Sequence, residues 1–282
     1  MDEGPLRIAI GAWVLFVGAA VGSFLNVVIA RLPAGESIVS PRSRCPRCKR
    51  PIPWHENLPV LSWLLLRGRC RGCGAAISPR YLVVELLGAA IAFLAWRRHG
   101  LSAEAAAELS FAALLVALAF VDLATWLLPH ALTWPLLGAG LAASALGLSP
   151  APSLRSSAIG AAAGFAVFLL VAWVGKALAR REAMGMGDVW LLSGIGAWLG
   201  AAALVPAVLL ASLQGSVVGV VLILAGRAQP GPAPGAPAGD DADWVPPRNS
   251  VPFGPFLALG ALEWLYLADV LAALVPALDV FR

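Results

Sequence analysis

Four cysteines form two C-x-x-C pairs within one short stretch of the sequence. Cys45 and Cys48 make the first pair, Cys70 and Cys73 make the second, and 21 residues separate the pairs. Each pair places two thiolates on one tight turn, and this spacing is typical of a zinc ribbon. Four thiolates close a tetrahedral shell, so the pattern predicts a structural Zn²⁺ and not a catalytic one. A redox pair and four inert thiols are the alternatives.

Two aspartates are the other candidates for chemistry. Asp122 ends one apolar stretch, and Asp188 follows Gly185 and Gly187 in a G-x-G-D tetrad that precedes another. Two carboxyl groups brought together can share one proton, because like charges in contact do not both ionise easily. One group then acts as a base on water and the other as an acid, which predicts peptide hydrolysis without a covalent intermediate. The glycines let backbone pass close to a partner or substrate.

The composition shows what kind of protein must position these groups. Hydrophobic residues make up 60% of the 282 residues and charged residues only 13%, against about 25% charged in soluble proteins. So few charges cannot cover a soluble surface, and the chain is neither disordered nor fibrous. We predict an all-α polytopic membrane protein whose partner is the lipid bilayer, with no nucleic-acid partner.

Uncharged runs set the number of helices that cross the membrane. A helix needs about 20 apolar residues to cross about 30 Å of hydrocarbon. The 38-residue uncharged run 189–226 therefore folds back near Gly200 and Pro206. The first run follows Asp2 and Glu3 and is too long for a signal peptide, so we expect no cleavage there. About eight transmembrane helices are predicted, at 8–30, 81–96, 104–122, 131–149, 157–178, 189–204, 207–226 and 256–276.

The distribution of Lys and Arg orients these helices. With eight spans, 15 of the 20 Lys and Arg residues lie on one side of the membrane. The positive-inside rule makes that side cytoplasmic, so the cysteine loop and both aspartates face the cytoplasm and both termini face outward. Arg97 and Arg98 run against the rule.

The predicted topology divides the chain into five segments. The loop at 31–80 is basic and too short to fold well on a core alone, so metal binding would contribute its folding energy. The tract 228–250 is rich in Pro and Gly and is predicted to be a flexible linker. The segments are a first helix at 1–30, the cysteine-rich loop at 31–80, a transmembrane core at 81–227, the linker at 228–250 and a last helix at 251–282.

Carboxylates inside a bilayer are costly and often functional. Hydrogen bonding within the helix bundle nevertheless accounts for most of them, and a single membrane aspartate is more often a buried polar group or part of an ion pathway. Asp122 and Asp188 differ because the topology brings both to the cytoplasmic ends of their helices. The carboxylates in or beside predicted spans are Glu85, Glu108, Asp122, Asp188, Glu263 and Asp269.

Further motifs follow one another along nearly the whole chain. They lie at 22–33, 41–48, 57–63, 67–73, 77–81, 84–87, 185–188 and 251–256. Together they resemble the type IV prepilin peptidases, which are integral aspartic proteases of the G-x-G-D type. Asp122 and Asp188 stand at the positions of that family's two catalytic aspartates. The chain departs from the family pattern at His130, where Asp or Asn is usual, and at Trp190, where Lys is frequent.

The resemblance implies a substrate and a second activity. It implies cleavage of the basic leader from type IV prepilins or type II secretion pseudopilins, at the cytoplasmic face of the bacterial inner membrane with both termini periplasmic. Members with the cysteine loop commonly also N-methylate the new N-terminus from S-adenosylmethionine. No Rossmann-type glycine fingerprint follows a strand, so no residue is assigned to methyl transfer. Asn26, Arg80 and Glu85 are candidates for polar roles near the cytoplasmic face, with bundle packing and interface anchoring as alternatives.

Three other functions stay open from the sequence. An intramembrane protease of the G-x-G-D type usually has Tyr before its first Asp, where this chain has Val121, and lacks a four-cysteine loop. A metal-dependent membrane transporter would use Asp122 and Asp188 as ion ligands, and an internal repeat that would support it is not found. A degenerate homologue would bind prepilins without cleaving them, and only His130 and Trp190 point to it. His130 either titrates near neutrality or serves as a cap.

Overall fold

The fold is described from a computed structural model, over residues 4–179, 184–225 and 251–281. These residues form nine α-helices and no strand, which confirms the predicted all-α class. The linker predicted at 228–250 lies outside the described residues. The helices are α1 Gly4–Arg31, α2 Leu61–Leu65, α3 Pro79–His99, α4 Ala103–Thr125, α5 His130–Ala145, α6 Leu154–Ala179, α7 Met186–Leu199, α8 Leu204–Leu224 and α9 Gly254–Leu274. Short 3-10 helices occupy Trp54–Glu56 and Pro276–Phe281.

All eight predicted hydrophobic segments are helical, but they differ in length. By length and composition, six described helices are able to cross a membrane: α1, α3, α4, α6, α8 and α9. Helices α5 and α7 have 16 and 14 residues, which at about 1.5 Å per residue fall short of the hydrocarbon thickness. The chain is therefore a membrane protein, whereas a count of eight full crossings is not confirmed.

Two compact units divide the chain, Met1–Ala113 and Leu114–Arg282, with the boundary inside α4. In the first unit α1 packs along α3. Backbone meets backbone there, because a Cβ on Gly22 would lie 2.5 Å from the Val84 carbonyl oxygen, and Gly18 faces Gly88 in the same way. Small residues allow this close approach where hydrocarbon gives helices no hydrophobic reason to associate.

Within the second unit, other helices surround α7 on several sides. It packs against both α5 and α6, and every residue from Leu191 to Leu199 is buried. Its Trp198 indole N–H donates to the Leu136 carbonyl at 2.8 Å. Neighbouring helices α8 and α9 also pair, and there the Gln214 amide donates to the Glu263 carboxylate. A helix too short to span the membrane can thus lie at membrane depth, because the surrounding protein pairs its polar groups and shields them from lipid.

Two carboxylates of the first unit have structural partners. The Val60 N–H donates to Glu85 Oε2 at 2.7 Å, which ties the loop before α2 to α3. Glu108 is 2% exposed and its Oε2 lies 2.9 Å from His99 Nε2 and 3.1 Å from Arg98. These bonds are of the kind expected within the bundle, and the Glu108 pair neutralises one of the two arginines that run against the positive-inside rule.

Candidate active site and metal centre

The four predicted metal ligands meet in the first unit. Their Sγ atoms all lie within 4.8 Å of one another, with Cys45 to Cys73 at 3.9 Å and Cys48 to Cys70 at 4.0 Å. Four thiolates bound about 2.3 Å from one tetrahedral ion would lie about 3.8 Å apart. The cluster therefore has the donor set and the spacing to bind a metal ion.

Both cysteine pairs are built on the same backbone turn. The Cys45 N–H donates to the Arg50 carbonyl at 3.0 Å, and the Lys49 N–H donates back to Cys45 at 2.9 Å. The corresponding two bonds of Cys70 are both 2.8 Å long. Lys49 and Gly74 take the fourth place after the first cysteine of each pair, with φ of 59° and 70°. A left-handed residue other than glycine costs about 1–2 kcal/mol, so only the first turn carries this strain.

Glu56 links the two turns through side chains. Its Oε1 accepts hydrogen bonds from Arg50 at 2.9 Å and from Arg71 at 3.5 Å. The Glu56 side chain is 9% exposed. Because Arg50 follows the first cysteine pair and Arg71 lies within the second, this carboxylate draws the turns together independently of any metal.

The sulfurs of the cluster differ in acidity. Backbone N–H groups of Cys48 and Arg47 bond to the Cys45 sulfur and lower the pKa of its thiol to about 6. At Cys73 the Ala75 N–H lowers the pKa, but burial and the neighbouring sulfurs outweigh it and raise the pKa to about 11. A bound cation offsets the accumulated negative charge, so metal binding releases protons and weakens as the pH falls.

The two aspartates lie near each other in the second unit. Asp122 lies near the end of α4 and is 5% exposed, while Asp188 lies in the first turn of α7. Their carboxyl groups are close enough for their charges to repel each other. Within the described residues, the buried Oδ1 of Asp188 has no hydrogen-bond partner. Such a pair can share one proton and can hold a water molecule on the open oxygen.

The N-termini of two helices adjoin this pair. Gly254 begins α9, and its N–H donates to Asp122 Oδ2 at 3.0 Å. Asp188 belongs to the N-terminal turn of α7. Helix N-termini carry partial positive charge and favour anions. Each carboxylate thus lies beside a helix end that favours negative charge.

The turn after α4 brings the chain from Asp122 to α7. Trp126 has a φ of 60° and its N–H donates to the Asp122 carbonyl at 2.8 Å, which ends the helix in a left-handed residue. The reversed chain carries Leu128 against α7. A Cβ on Gly187 would lie 2.6 Å from the Leu128 Cβ. A Cβ on Gly185 would meet no described atom nearer than 4.0 Å. Close packing therefore requires glycine at the second of the two predicted supporting positions.

Gly254 is a site residue to which the sequence argument gave no role. A Cβ at this position would lie 2.6 Å from Asp122 Oδ2, so glycine alone brings its N–H this close to the carboxylate. A signal was present in the sequence. Pro255 marks a first helical turn, and the first N–H groups of a helix have no partner within it. Such free donors at the start of an apolar helix are available to a carboxylate at the same depth.

The two departures from the family pattern, His130 and Trp190, lie in one aromatic cluster. His130 stacks on Trp134 with ring centroids 5.3 Å apart, and it meets Trp190 edge-on at 6.3 Å. Phe165 packs against Trp190 at 4.9 Å. Since Trp190 follows Asp188 by two residues, the cluster packs the N-terminal turns of α7 against α5 and α6.

The three candidates for polar roles all make packing contacts in the first unit. The Asn26 amide donates to the Tyr81 carbonyl at 3.0 Å and so joins α1 to α3. Glu85 accepts the Val60 N–H, and the Arg80 guanidinium lies 5.7 Å from the Tyr81 ring centroid. These contacts fit bundle packing and interface anchoring, the alternatives that the sequence left open.

Comparison with known proteins is decisive about the family. Residues 16–99 match the bacterial peptidase A24 N-terminal domain, and residues 109–220 match the type IV leader peptidase family. A prepilin leader peptidase/N-methyltransferase of Myxococcus xanthus is 43% identical, over 97% of this chain and 94% of the relative. The chain belongs to the type IV leader peptidase family.

Other members of the type IV leader peptidase family are similar over most of their length. The prepilin leader peptidase/N-methyltransferase of Burkholderia pseudomallei is 37% identical, over 90% of this chain and 84% of the relative. The one from Aeromonas salmonicida is 42% identical, over 86% and 87%. No solved structure matches the chain. The N-terminal match contains the four cysteines, and the leader peptidase match contains both aspartates.

Proposed function

We propose that the protein cleaves the basic leader peptide from type IV prepilins or type II secretion pseudopilins. Asp122 and Asp188 would act as an aspartyl dyad at the cytoplasmic face of the bacterial inner membrane, and N-methylation of the new N-terminus would follow. The observation that carries the proposal is the meeting of these two carboxyl groups beside the N-termini of α7 and α9. The names of the relatives favour this function over a membrane transporter.

The chemistry follows from a dyad that holds one proton. The ionised carboxylate takes a proton from a bound water as its oxygen attacks the scissile carbonyl carbon. The protonated carboxyl group gives its proton to the carbonyl oxygen, and a tetrahedral diol forms. Collapse of the diol returns one proton to the dyad, transfers another to the leaving nitrogen and breaks the C–N bond. The Gly254 N–H keeps Asp122 oriented throughout.

We infer that the cysteine cluster holds a structural Zn²⁺. Four thiolates with these separations suit tetrahedral zinc, and a closed Cys₄ shell leaves no position for substrate. Cys45, Cys48, Cys70 and Cys73 would hold the ion, and its binding energy would fold the 31–80 loop. The cytoplasmic orientation proposed for this loop agrees with free thiols, because stable disulfides are rare there.

A small cavity in the first unit lacks carboxylate partners for the two cationic groups of the methyl donor. S-adenosylmethionine carries a sulfonium and an ammonium cation, which need carboxylate or carbonyl partners, besides one carboxylate that suits an arginine. This cavity has a volume of about 250 Å³, and its lining includes Arg31 and Arg42 but no carboxylate. The second activity therefore rests on the names of the relatives.

Processing of a prepilin tests the dyad. Wild type, Asp122→Asn and Asp188→Asn in membranes would be given a prepilin with its leader, and mass spectrometry would follow the loss of the leader and the gain of one methyl group. We expect each variant to lose roughly 10²–10⁴-fold in cleavage rate, the usual contribution of general acid–base catalysis. Methylation should disappear with cleavage, because no new N-terminus forms.

Asp269→Asn is the matched control, since it makes the same isosteric change in α9 outside the pair. It should cleave at close to the wild-type rate. If either dyad variant that melts like wild type cleaves equally well, the dyad assignment is wrong. If folded wild type binds prepilins but cuts none, the protein is better described as a degenerate homologue that binds prepilins without cleaving them.

A further inference from the structure

The arginine cavity of the first unit has the chemistry of an anion site. It opens between the last turn of α1 and the segment before the first cysteine pair, and Val27, Arg31, Ile38, Arg42, Trp54 and Asn57 are among its lining residues. Aliphatic side chains form part of the wall and two guanidinium groups lie on it. A ligand that fits would combine negative charge with an apolar portion.

Neither guanidinium is neutralised nearby. Arg42 makes no hydrogen bond or ion pair with any residue that the structure describes. Arg31 donates to the Ser37 carbonyl at 3.0 Å and has no carboxylate partner within the described ranges. Two such cations on one small cavity create a positive potential. The planar fork of arginine matches the oxygens of a phosphate group, which it binds with two parallel hydrogen bonds.

The position along α1 indicates where that phosphate comes from. Helix α1 is long and apolar enough to cross the membrane, and Arg31 is its last residue. Val27 lies one turn deeper, so the cavity lies where hydrocarbon gives way to headgroups. Trp54 is 75% exposed and Val39 is 86% exposed at its edge. Exposed tryptophan is enriched at this level of the bilayer, and basic pockets there bind anionic headgroups.

We propose that this cavity binds the headgroup phosphate of an anionic phospholipid. Arg31 and Arg42 contact the phosphate oxygens, Trp54 lies at the headgroup level, and the acyl chains run along the apolar surface of α1. The lipid thereby fastens the start of the cysteine loop to the membrane surface. This site is separate from the aspartate pair and does not depend on the proposed peptidase activity.

Native mass spectrometry of the full-length protein in detergent tests this site. The protein would be titrated with phosphatidylglycerol, with phosphatidylcholine and with inorganic phosphate alone. We expect one tightly held phosphatidylglycerol per chain and at least tenfold weaker binding to Arg42→Gln, because a hydrogen bond to a charged group contributes about 1.5–3 kcal/mol. Arg42→Lys keeps the charge without the fork and should lose less.

Arg67→Gln is the matched control, because it removes one exposed arginine from the same loop outside the cavity lining. It should bind phosphatidylglycerol like wild type. Equal binding by wild type and Arg42→Gln would overturn the proposal, and so would equally tight binding of phosphatidylcholine. If inorganic phosphate binds with the same dependence on Arg42 while phosphatidylglycerol does not bind, the ligand is a free anion and the lipid assignment is wrong.

Discussion

Asp122 and Asp188 differ from the buried carboxylate of Glu108 in the sign of the charge nearest to them. Glu108 lies against Arg98 and His99, so cations balance its charge. Asp122 and Asp188 instead lie near enough for their charges to repel each other. A fold gains no stability from two like charges buried together, and such pairs recur where proton sharing serves catalysis. This contrast favours a catalytic role for the two aspartates over a structural one.

The N–H of Gly254 orients the Asp122 carboxylate by donating a hydrogen bond to it. In Gly254→Ala the new Cβ would lie 2.6 Å from Asp122 Oδ2, so either the carboxylate or the start of α9 must move. Loss of one charge-assisted hydrogen bond corresponds to about 1.5–3 kcal/mol. We expect prepilin cleavage to slow roughly tenfold to hundredfold, measured as kcat/KM, and the melting temperature to fall by a few degrees.

Gly138→Ala supplies the matched control, since a Cβ there meets no atom within 4 Å. It should retain wild-type cleavage, and the added helix propensity should leave stability equal or slightly higher. Unchanged cleavage by Gly254→Ala would show that the N–H at the start of α9 does not orient Asp122.

Helix α7 depends on its neighbours more than the spanning helices do. It has 14 residues, and hydrocarbon alone would not hold it at a fixed depth. Glycines of α6 fit against its backbone: a Cβ on Gly164 would lie 2.6 Å from the Leu192 carbonyl oxygen, and Gly160 contacts Gly196 in the same manner. The position of Asp188 in the first turn of α7 therefore rests on the α6 surface.

Gly164→Leu should displace α7 and with it Asp188. The leucine side chain has no room against the Leu192 backbone, so α6 and α7 must separate. We expect a lower melting temperature and at least tenfold slower cleavage, because a shift of about 1 Å at reacting groups can cost about a hundredfold. Gly219→Leu in α8 makes the same change where nothing lies within 4 Å and should match wild type. Equal melting and cleavage of both variants would contradict the dependence of α7 on α6.

Uncharged runs located the helices well because charge is what hydrocarbon excludes most strongly. The predicted break near Gly200 is confirmed, since α7 ends at Leu199 and Gly200 has a φ of 83°, whereas Pro206 lies within the first turn of α8. The lengths of α5 and α7 were overestimated, at 131–149 and 189–204. A hydrophobicity count cannot distinguish a lipid-facing helix from one buried in protein, because both are apolar on all sides.

The candidate site was predictable in part. The cysteine cluster could be predicted from residue type and spacing alone, because each C-x-x-C pair forms its own turn. The two aspartates could be singled out because each lies at the predicted cytoplasmic end of an apolar helix. The bond from Gly254 to Asp122 and the contact of His130 with Trp190 join residues far apart in sequence. Such contacts depend on how whole helices pack. The sequence marks the free N–H groups at the start of α9 but not the carboxylate that they reach.

The predicted topology orients the whole molecule by the positive-inside rule, with a local exception at Arg97 and Arg98. Most Lys and Arg residues fall on one side of the predicted topology. Arg98 does not, and its partner Glu108 is almost fully buried. A paired arginine contributes less net charge than a free one, so it opposes the orientation less than a simple count suggests.

The metal cluster and the aspartate pair belong to different compact units. Structural zinc in small domains contributes an apparent binding energy of about 10–16 kcal/mol near pH 7, far more than the Glu56 links can supply. The 31–80 loop should therefore lose its fold when the metal is removed. The second unit has no described residue in the cluster, so its helices should melt as before.

Limited trypsin digestion with and without a zinc chelator would measure this difference. In the metal-bound protein, cleavage after Lys49 and Arg71 should be slow, because both residues lie in the hydrogen-bonded cysteine turns. After chelation we expect these cuts to become at least tenfold faster, since the rate tracks the population of the open loop. Cys48→Ser should be cut at the same places without chelator, because it removes one of the four ligands.

Cleavage after Arg155, at the start of α6, is the internal reference. Its rate should not change on chelation, because α6 packs within the second unit. Adding back Zn²⁺ should restore slow cleavage of the wild-type loop and leave Cys48→Ser sensitive. If chelation leaves cleavage after Lys49 and Arg71 unchanged while the metal is demonstrably lost, Glu56 and the backbone turns hold the loop by themselves, and the ion is not what folds it.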